Sequence, residues 1–245
     1  MYEFNYHRPS TLDEAKSAVT GAEDGKFLAG GMTLIPTMKL RLAAPSDLVD
    51  LHAIEGLSGI SVGSDKVSIG AMTRHHDVNT SPDIQKAIPA LAALAGGIGD
   101  PSVRHRGTMG GSVANSDPAA DYPVAVLALD AVVETNSRKI AADDFFLGLF
   151  ETALEEGEII TAIHYRIPDA AAYMKFPQPA SGFAMVGAFV AKYGGDVRLA
   201  VTGAKDCVFR VPEMEQALAA NFSAEAIADI AIGEDDLLSD IHCAA

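Results

Sequence analysis

Apolar and polar residues alternate along two stretches of the chain, as they do in β-hairpins. In residues 59–71, "GISVGSDKVSIGA", the alternation runs on both sides of a turn at 63–65. In residues 182–204, "GFAMVGAFVAKYGGDVRLAVTGA", it runs on both sides of a turn at 193–196. Because a period of two places the apolar side chains on one face of a strand, the pattern predicts two antiparallel hairpins.

Helix-start signals and helical spacing of apolar residues mark several other stretches. Ser10, with Asp13 three residues later, resembles a capping box and predicts the start of a first helix. Further helices are predicted over residues 33–42 with an interruption at Pro36, over 82–98, at the start of 122–134, and twice within 210–233.

Short apolar runs predict buried strands between these helices. They lie in residues 26–31, 46–54, the end of 122–134, and 156–168. The segment 168–181, "PDAAAYMKFPQPAS", is the best candidate for a linker.

The order of these elements predicts an α+β fold. Its predicted sub-units are residues 1–53, 54–170 and 171–245.

Composition and charge narrow the class of protein. The chain has 245 residues, of which 49% are hydrophobic and 21% charged, as in an ordinary globular protein. Its net charge of −15 argues against nucleic acid as a partner, because phosphates require a positive field. No apolar signal region opens the sequence, and its most apolar stretch, 124–133, is too short to span a membrane. We therefore expect a soluble, cytoplasmic protein without a transmembrane segment.

Two cysteines, Cys207 and Cys243, are too few for an iron–sulfur cluster or a four-ligand zinc site. We expect them to be free thiols.

Several other stretches resemble functional motifs without matching them. Residues 21–26, "GAEDGK", are one residue short of a P-loop, and 96–102, "GGIGDPS", lack the third glycine of a dinucleotide fingerprint. His75 and His76 have no evident third metal ligand, so we expect surface histidines. No arrangement of nucleophile, histidine and aspartate supports a hydrolase.

Two glycine pairs, at residues 30–31 and 110–111, stand at turns that follow apolar segments, each with a threonine nearby. Glycine pairs often serve only as turn residues with positive φ, and that interpretation stays open here. Consecutive N–H groups can instead form a concave nest for an anion. Two facing nests would suit a pyrophosphate, with the basic run 104–106 upstream and Asp117 or Asp121 available for ribose hydroxyls.

Two segments together resemble a known family. Residues 29–33, "AGGMT", and 98–123, "IGDPSVRHRGTMGGSVANSDPAADYP", are similar to the FAD-binding medium subunit of molybdenum-containing hydroxylases. The resemblance is strongest to carbon monoxide dehydrogenase medium chains and weaker to xanthine dehydrogenase flavin domains. It extends over most of the chain, including residues 4–15 and 175–191. It implies a two-sub-unit FAD-binding domain of the PCMH type followed by a small α+β C-terminal domain.

In that family two glycine loops clamp the FAD diphosphate, and the resemblance assigns the corresponding contacts here. The implied FAD-binding residues are Ala29, Gly30, Gly31, Met32 and Thr33 in one loop and Thr108, Gly110, Gly111 and Ser112 in the other.

Three further residues are implied outside the loops. Asp121 matches the aspartate that contacts the sugar part of FAD. Phe183 falls where relatives have an aromatic residue near the isoalloxazine, although a plain core phenylalanine is an equal alternative. Lys175 is a candidate for the flavin edge, with a solvated surface lysine as its alternative. No catalytic side chain or metal ligand is expected on this chain.

The resemblance also implies a function and partners. A large subunit would hold the molybdenum cofactor, and a small subunit would hold [2Fe–2S] clusters that pass electrons to FAD on this chain. The FAD would deliver them to an external acceptor, in a complex expected to be a dimer of heterotrimers.

The sequence departs from the family at three places. His105 and Ser112 stand where relatives commonly have asparagine, so polar contacts of the second loop can differ. The chain stops at "SDIHCAA", where relatives usually continue for about one more helix. Two alternative functions stay open: a free-standing flavoprotein oxidase or reductase, and a non-enzymatic module that binds another anion or nothing.

Overall fold

The first part of the chain folds around a small parallel sheet. The computed structural model describes residues 1–234 and 236–239. Strands β1 (Asn5–His7), β2 (Gly25–Leu28) and β3 (Asp47–Asp50) form this sheet in the order β1-β3-β2. Both pairings are parallel, with Tyr6 and Lys26 on either side of Leu48. A small cluster of buried residues that includes Ala15, Val19 and Val49 lies beneath it.

The helices occupy the connections between strands. In chain order they are α1 Leu12–Thr20, α2 Leu34–Lys39, α3 His75–Thr80, α4 Pro82–Ala87, α5 Pro89–Gly96, α6 Pro101–Arg104, α7 Met109–Asn115, α8 Tyr122–Ala128 and α9 Pro212–Ala220. Short 3-10 turns lie at Leu51–Ala53, Ala142–Asp144 and Ala224–Ile227.

A five-stranded antiparallel sheet forms the centre of the molecule. Its order is β4-β5-β10-β6-β7, and β8 and β9 form a separate two-stranded sheet. The bounds are β4 Ile60–Val62, β5 Lys66–Gly70, β6 Val132–Thr135, β7 Lys139–Ala141, β8 Phe146–Gly148, β9 Glu151–Thr152 and β10 Ile160–Arg166.

A four-stranded antiparallel sheet forms the last part of the described chain. Its strands, in the order β11-β12-β13-β14, are β11 Ala170–Pro177, β12 Ala184–Tyr193, β13 Asp196–Thr202 and β14 Phe209–Arg210. The main core includes Tyr122 and Tyr165 and also takes in Phe189 and Ala200 from this sheet. The last sheet therefore packs directly against α8 and shares one core with the central sheet.

Both predicted hairpins form, as β4–β5 and β12–β13, and the predicted α+β class is confirmed. Strand β11 begins at Ala170, one residue before a predicted sub-unit boundary, and the boundaries themselves stay a prediction.

Four local predictions are wrong. Thr11, not Ser10, caps α1: its hydroxyl accepts from the Glu14 N–H at 3.2 Å. Residues 168–181 are no linker, because most of them form β11. The last two errors concern prolines. Pro36 lies inside α2 without interrupting it. The single helix predicted over residues 82–98 is instead two helices, because Pro89 cannot continue α4 and begins α5. Cys243 lies outside the described residues, so the prediction for the two thiols stays open.

Candidate functional site

A cavity of about 780 Å³ opens where the first sheet, the central sheet and the loop between β11 and β12 meet. Its walls come from the loop 29–33 after β2, the loop 98–103, the segment 107–121 and the hairpin loop 180–183. The predicted site residues that line it are Ala29, Gly30, Gly31, Met32, Thr33, Thr108, Gly110, Gly111, Ser112, Asp121 and Phe183. The fold thus brings these residues together around one space, while Lys175 lies just behind its wall.

The loop 29–33 presents unused donors to this cavity. Within the part of the chain that the structure describes, no hydrogen bond uses the N–H groups of Gly30, Gly31, Met32 or Thr33. Gly31 has a φ of +72°, which a residue with a side chain rarely adopts. Four consecutive free N–H groups beside a cavity form the kind of nest that binds an anion.

The loop 29–33 lies directly against the segment before α7. A Cβ added to Gly30 would lie 2.7 Å from the Cα of Gly107 and 2.9 Å from the carbonyl carbon of Arg106. A Cβ on Gly107 would in turn lie 2.8 Å from Cδ2 of His75. The two walls of the cavity therefore touch through glycines, and side chains would separate them.

The second glycine pair differs from the prediction. Gly110 and Gly111 lie in the first turn of α7, which Thr108 caps by accepting from the Gly111 N–H at 3.2 Å. The Gly110 N–H donates to the Ala71 carbonyl at 2.8 Å, and the Ser112 N–H to the Thr108 carbonyl at 3.1 Å. The expectation of a second open nest is therefore wrong, because these amides are already bonded.

The cavity wall near α7 still offers polar side chains to a ligand. Within residues 1–234 and 236–239, the hydroxyls of Thr33 and Ser112 make no hydrogen bond, and neither does the Asn115 side chain. Asn115 lies three residues after Ser112 in α7, so both belong to the face that lines the cavity. Sequence reasoning missed Asn115 although this spacing within the glycine-rich motif marks it.

The carboxylates around the cavity already accept hydrogen bonds from other groups of the chain. Asp100 caps α6 through the Val103 N–H at 2.9 Å, and Asp117 accepts from the Ala119 N–H at 2.9 Å. Arg104, expected near a phosphate, does not line the cavity: it donates to the Ile98 and Gly99 carbonyls at 3.0 and 2.9 Å. An anion here would depend on backbone donors more than on basic side chains.

Glu158 is the most strongly bound of these carboxylates. Burial alone would raise its pKa, but donors on Arg138, the Glu155 backbone and Thr135 outweigh burial and lower the pKa to about 2. The Arg138 Nε lies 3.0 Å from Oε1, and Thr135 Oγ1 donates to the same oxygen at 2.7 Å. Glu158 is therefore ionised at neutral pH and fully engaged within the chain.

Asp121 lies at the start of α8 and is 5% exposed. The Tyr173 hydroxyl donates to its Oδ1, and the Lys175 ammonium lies 3.1 Å from its Oδ2. Burial raises the pKa of Asp121, and these two partners act against the rise. Lys175 also donates to the Gly97 and Gly182 carbonyls at 2.9 and 3.0 Å, so its three protons are all engaged. Its contact with a flavin edge stays a prediction. Of its observed partners, Asp121 and Gly182 line the cavity.

Phe183 is half exposed at the rim, in the loop that joins β11 to β12. It is not a core phenylalanine. Its position at the mouth of the cavity leaves the ring accessible to a ligand, and its contact with an isoalloxazine stays a prediction.

The two adjacent histidines have different environments. His76 stacks on His105 with ring centroids 4.2 Å apart, and the His105 side chain is exposed. His75 is 4% exposed and lines the cavity, so its assignment to the surface is wrong. Its Nδ1 has no partner in the described chain, and burial, assisted by Arg104, lowers its pKa to about 4. No group of three or more potential metal ligands occurs among the described residues.

The residues present fit a dinucleotide. A nest of free amides and nearby hydroxyls suits a diphosphate, Asp121 offers a carboxylate acceptor, and apolar side chains such as Leu28 and Ile160 line the rest. The size also falls in the range of about 300–1,000 Å³ typical of ligand cavities. Among the described helices, none has the length and apolar character that a bilayer crossing requires.

Comparisons with known proteins identify similar chains. Residues 2–170 match the family described as the FAD binding domain in molybdopterin dehydrogenase. The glyceraldehyde dehydrogenase medium chain of Sulfolobus acidocaldarius is 36% identical over 225 residues, covering 87% of this chain and 80% of that one. The nicotine 6-hydroxylase medium subunit of Paenarthrobacter nicotinovorans is 35% identical, covering 98% and 90%.

A solved structure is also similar. Carbon monoxide dehydrogenase from Hydrogenophaga pseudoflava, in a form that lacks the Mo-pyranopterin moiety of the molybdenum cofactor, has a chain that superposes with a TM-score of 0.86. The sequence identity is 37%, and the match covers 95% of this chain and 89% of that chain.

Proposed function

The chain belongs to the family of FAD-binding domains in molybdopterin dehydrogenases, and on that premise we propose that it is the electron-transfer subunit of a molybdenum-containing hydroxylase complex. It is an oxidoreductase subunit, and its cofactor is FAD. The observation that carries the proposal is the run of four unused amides, residues 30–33, on the wall of a cavity large enough for a dinucleotide.

In this proposal different parts of the cavity wall bind different parts of FAD. The amides of residues 30–33 bind the diphosphate, and the hydroxyls of Thr33 and Ser112 add two donors. Asp121 accepts from a sugar hydroxyl, while Phe183 at the rim packs beside the ring system. The protein therefore binds, orients and shields the cofactor, and bound FAD supplies reversible one- and two-electron chemistry.

The partners are the second part of the proposal. Two cysteines in 245 residues cannot supply the four thiolates of a [2Fe–2S] cluster, so such clusters would lie on another polypeptide. In this proposal a small iron–sulfur subunit delivers electrons to this chain. A large subunit would carry the molybdenum cofactor and the substrate site, in a dimer of heterotrimers. Several relatives are named as medium chains or medium subunits, which supports a multi-subunit complex. A cytoplasmic location belongs to the same proposal and is checked by cell fractionation.

Purification from the native host with a tag on this chain tests both parts. We expect two further polypeptides, molybdenum, iron and one FAD per tagged chain, with flavin absorbance that bleaches when substrate is added. A chain that purifies alone with FAD, and whose flavin a substrate reduces, would favour a free-standing flavoprotein. A chain that stays colourless after incubation with FAD would refute the proposal.

A further inference from the structure

We propose that Tyr173 is a positioning residue for the flavin site. Its hydroxyl group reaches the Asp121 carboxylate through a space left open by Gly187 and holds that carboxylate as an acceptor at the cavity wall. This inference rests on the proposed function, because it assigns a role toward bound FAD. Tyr173 does not line the cavity itself; it acts on a residue that does.

The two donors to Asp121 come from one strand of the last sheet. Tyr173 and Lys175 lie two residues apart in β11, so their side chains point to the same face of the sheet. Asp121 stands at the start of α8, more than fifty residues earlier in the chain. Both donors lie beyond residue 170, where the match to the FAD-binding family ends. The last sheet therefore completes the polar surroundings of a cavity built mainly by the preceding sub-units.

Gly187 provides the space that this contact requires. It lies on β12, opposite Lys175 in the register. A Cβ at Gly187 would lie 2.6 Å from the Tyr173 Oη and 3.0 Å from its Cε2. The ring of Tyr173 also packs against the ring of Phe189, with centroids 6.0 Å apart and planes inclined by 27°. A glycine at residue 187 thus allows the tyrosine to extend along the sheet to the carboxylate.

The consequence for ligand binding follows from the charge of Asp121. The charged and titratable groups that face it in the described chain are Tyr173 and Lys175 of β11 and the adjoining Tyr122 of α8. Burial favours the protonated acid, whereas the donors on Tyr173 and Lys175 favour the carboxylate. Lys175 also serves two carbonyl groups, so Tyr173 is the partner dedicated to this carboxylate. Without the hydroxyl, Asp121 takes up a proton at higher pH and ceases to be a full acceptor for a sugar hydroxyl.

The test is the pH profile of FAD affinity, measured by quenching of flavin fluorescence on the purified full chain or complex after removal of its flavin. We expect Tyr173→Phe to weaken binding roughly three- to tenfold at neutral pH. We also expect the pH below which affinity declines to rise by about half a unit or more. Gly187→Ala, which displaces the hydroxyl while keeping the tyrosine, should shift the profile in the same direction.

Tyr193→Phe is the matched control, because it removes a hydroxyl from the same sheet whose partner is the Ala128 carbonyl at 3.4 Å. Its profile should equal that of the wild type. Weaker binding with an unshifted profile in Tyr173→Phe would overturn the positioning role and leave a structural one. An unchanged affinity and profile would overturn it as well. A wild-type protein that binds no FAD at any pH would instead refute the proposed function.

Discussion

Gly30 and Gly107 meet where the two walls of the cavity touch, so closely that a Cβ on Gly30 would lie 2.7 Å from the Cα of Gly107. The obstructing atoms belong to the backbone, which cannot move aside as a flexible side chain can. This contact holds the loop 29–33, whose amides at residues 30–33 have no hydrogen-bond partner in the described chain, against the segment before α7. The position of the anion nest therefore depends on the absence of one side chain.

We expect Gly30→Ala to displace the loop 29–33 and to weaken FAD binding. Forcing a methyl group into a packed contact costs roughly 1–3 kcal/mol, so the Kd should rise about five- to 150-fold. The FAD content after gel filtration and the Kd from fluorescence quenching measure this effect. Gly195→Ala is the control, because no atom lies within 4 Å of the added Cβ at that turn. Equal FAD binding by the two variants would contradict the role of the contact.

The sequence predicted the first half of this site better than the second. The pair Gly30–Gly31 before Thr33 signalled a turn with free amides, and that turn is present. The pair Gly110–Gly111 carried the same local signal but forms a helix, because Thr108 caps it and Ala71 accepts one of its N–H groups. Gly107 is a single glycine, and nothing in the sequence around it indicated a close contact with another part of the chain. Its partner lies 77 residues away in sequence, and only tertiary packing brings the two together.

The error over residues 168–181 has a similar cause. Met174 and Phe176 of β11 are 76% and 65% exposed, whereas Tyr173 and Lys175 face inward. Apolar residues outside and polar residues inside reverse the usual pattern of a surface strand, so the alternation indicated no buried face. The polar residues are buried here because Asp121 pairs with them. The segment predicted as a linker is therefore mostly strand β11, which supplies the two partners of Asp121.

Ser112→Ala tests the hydroxyl that stands where the family commonly has asparagine. Its Oγ makes no hydrogen bond within the described chain, so its loss should leave the free energy of unfolding unchanged. If that hydroxyl donates to FAD, the Kd should rise about three- to tenfold, the value of one hydrogen bond. Urea unfolding of the FAD-free protein and fluorescence titration separate the two effects. Ser64→Ala, at an exposed hairpin turn, is the control, and an equal Kd for both variants would remove Ser112 from the site.

His75→Gln should flatten the dependence of stability on pH. Burial and the neighbouring Arg104 lower the pKa of His75 from its usual 6.5 to about 4, and Tyr122 is its nearest aromatic neighbour. Between these two pH values the unfolded chain binds a proton that the folded chain excludes, so stability falls as the pH falls. The contribution is about 2 kcal/mol between pH 7 and pH 4.5. Urea unfolding at both pH values should show a smaller loss in His75→Gln than in the wild type.

The exposed His105 supplies the comparison for this measurement. His105→Gln should lose as much stability on acidification as the wild type does. An identical loss in all three proteins would show that His75 does not contribute to the pH dependence.

Arg138→Met should destabilise the protein at neutral pH by leaving Glu158 buried without its main partner. The guanidinium donates from Nε to Oε1 at 3.0 Å and from Nη2 to Oε2 at 3.1 Å. Because Arg138 is itself partly exposed, water replaces some of the lost interaction, and we expect a loss of about 1–3 kcal/mol. Lys139→Met is the matched control: its exposed ammonium lies 3.4 Å from Glu134, and such surface pairs contribute less than about 1 kcal/mol.

The pH dependence of that loss identifies its cause. The pKa of Glu158 is about 2 in the folded chain and 4.5 ordinarily, so its stabilisation is complete above pH 4.5 and disappears as the pH falls toward 2. The gap in free energy of unfolding between the wild type and Arg138→Met should therefore be largest at pH 7 and clearly smaller at pH 3. If the gap is the same at both pH values, Arg138 stabilises the protein through its hydrogen bond to the Ala153 carbonyl at 2.6 Å and its packing, and the ion pair contributes little.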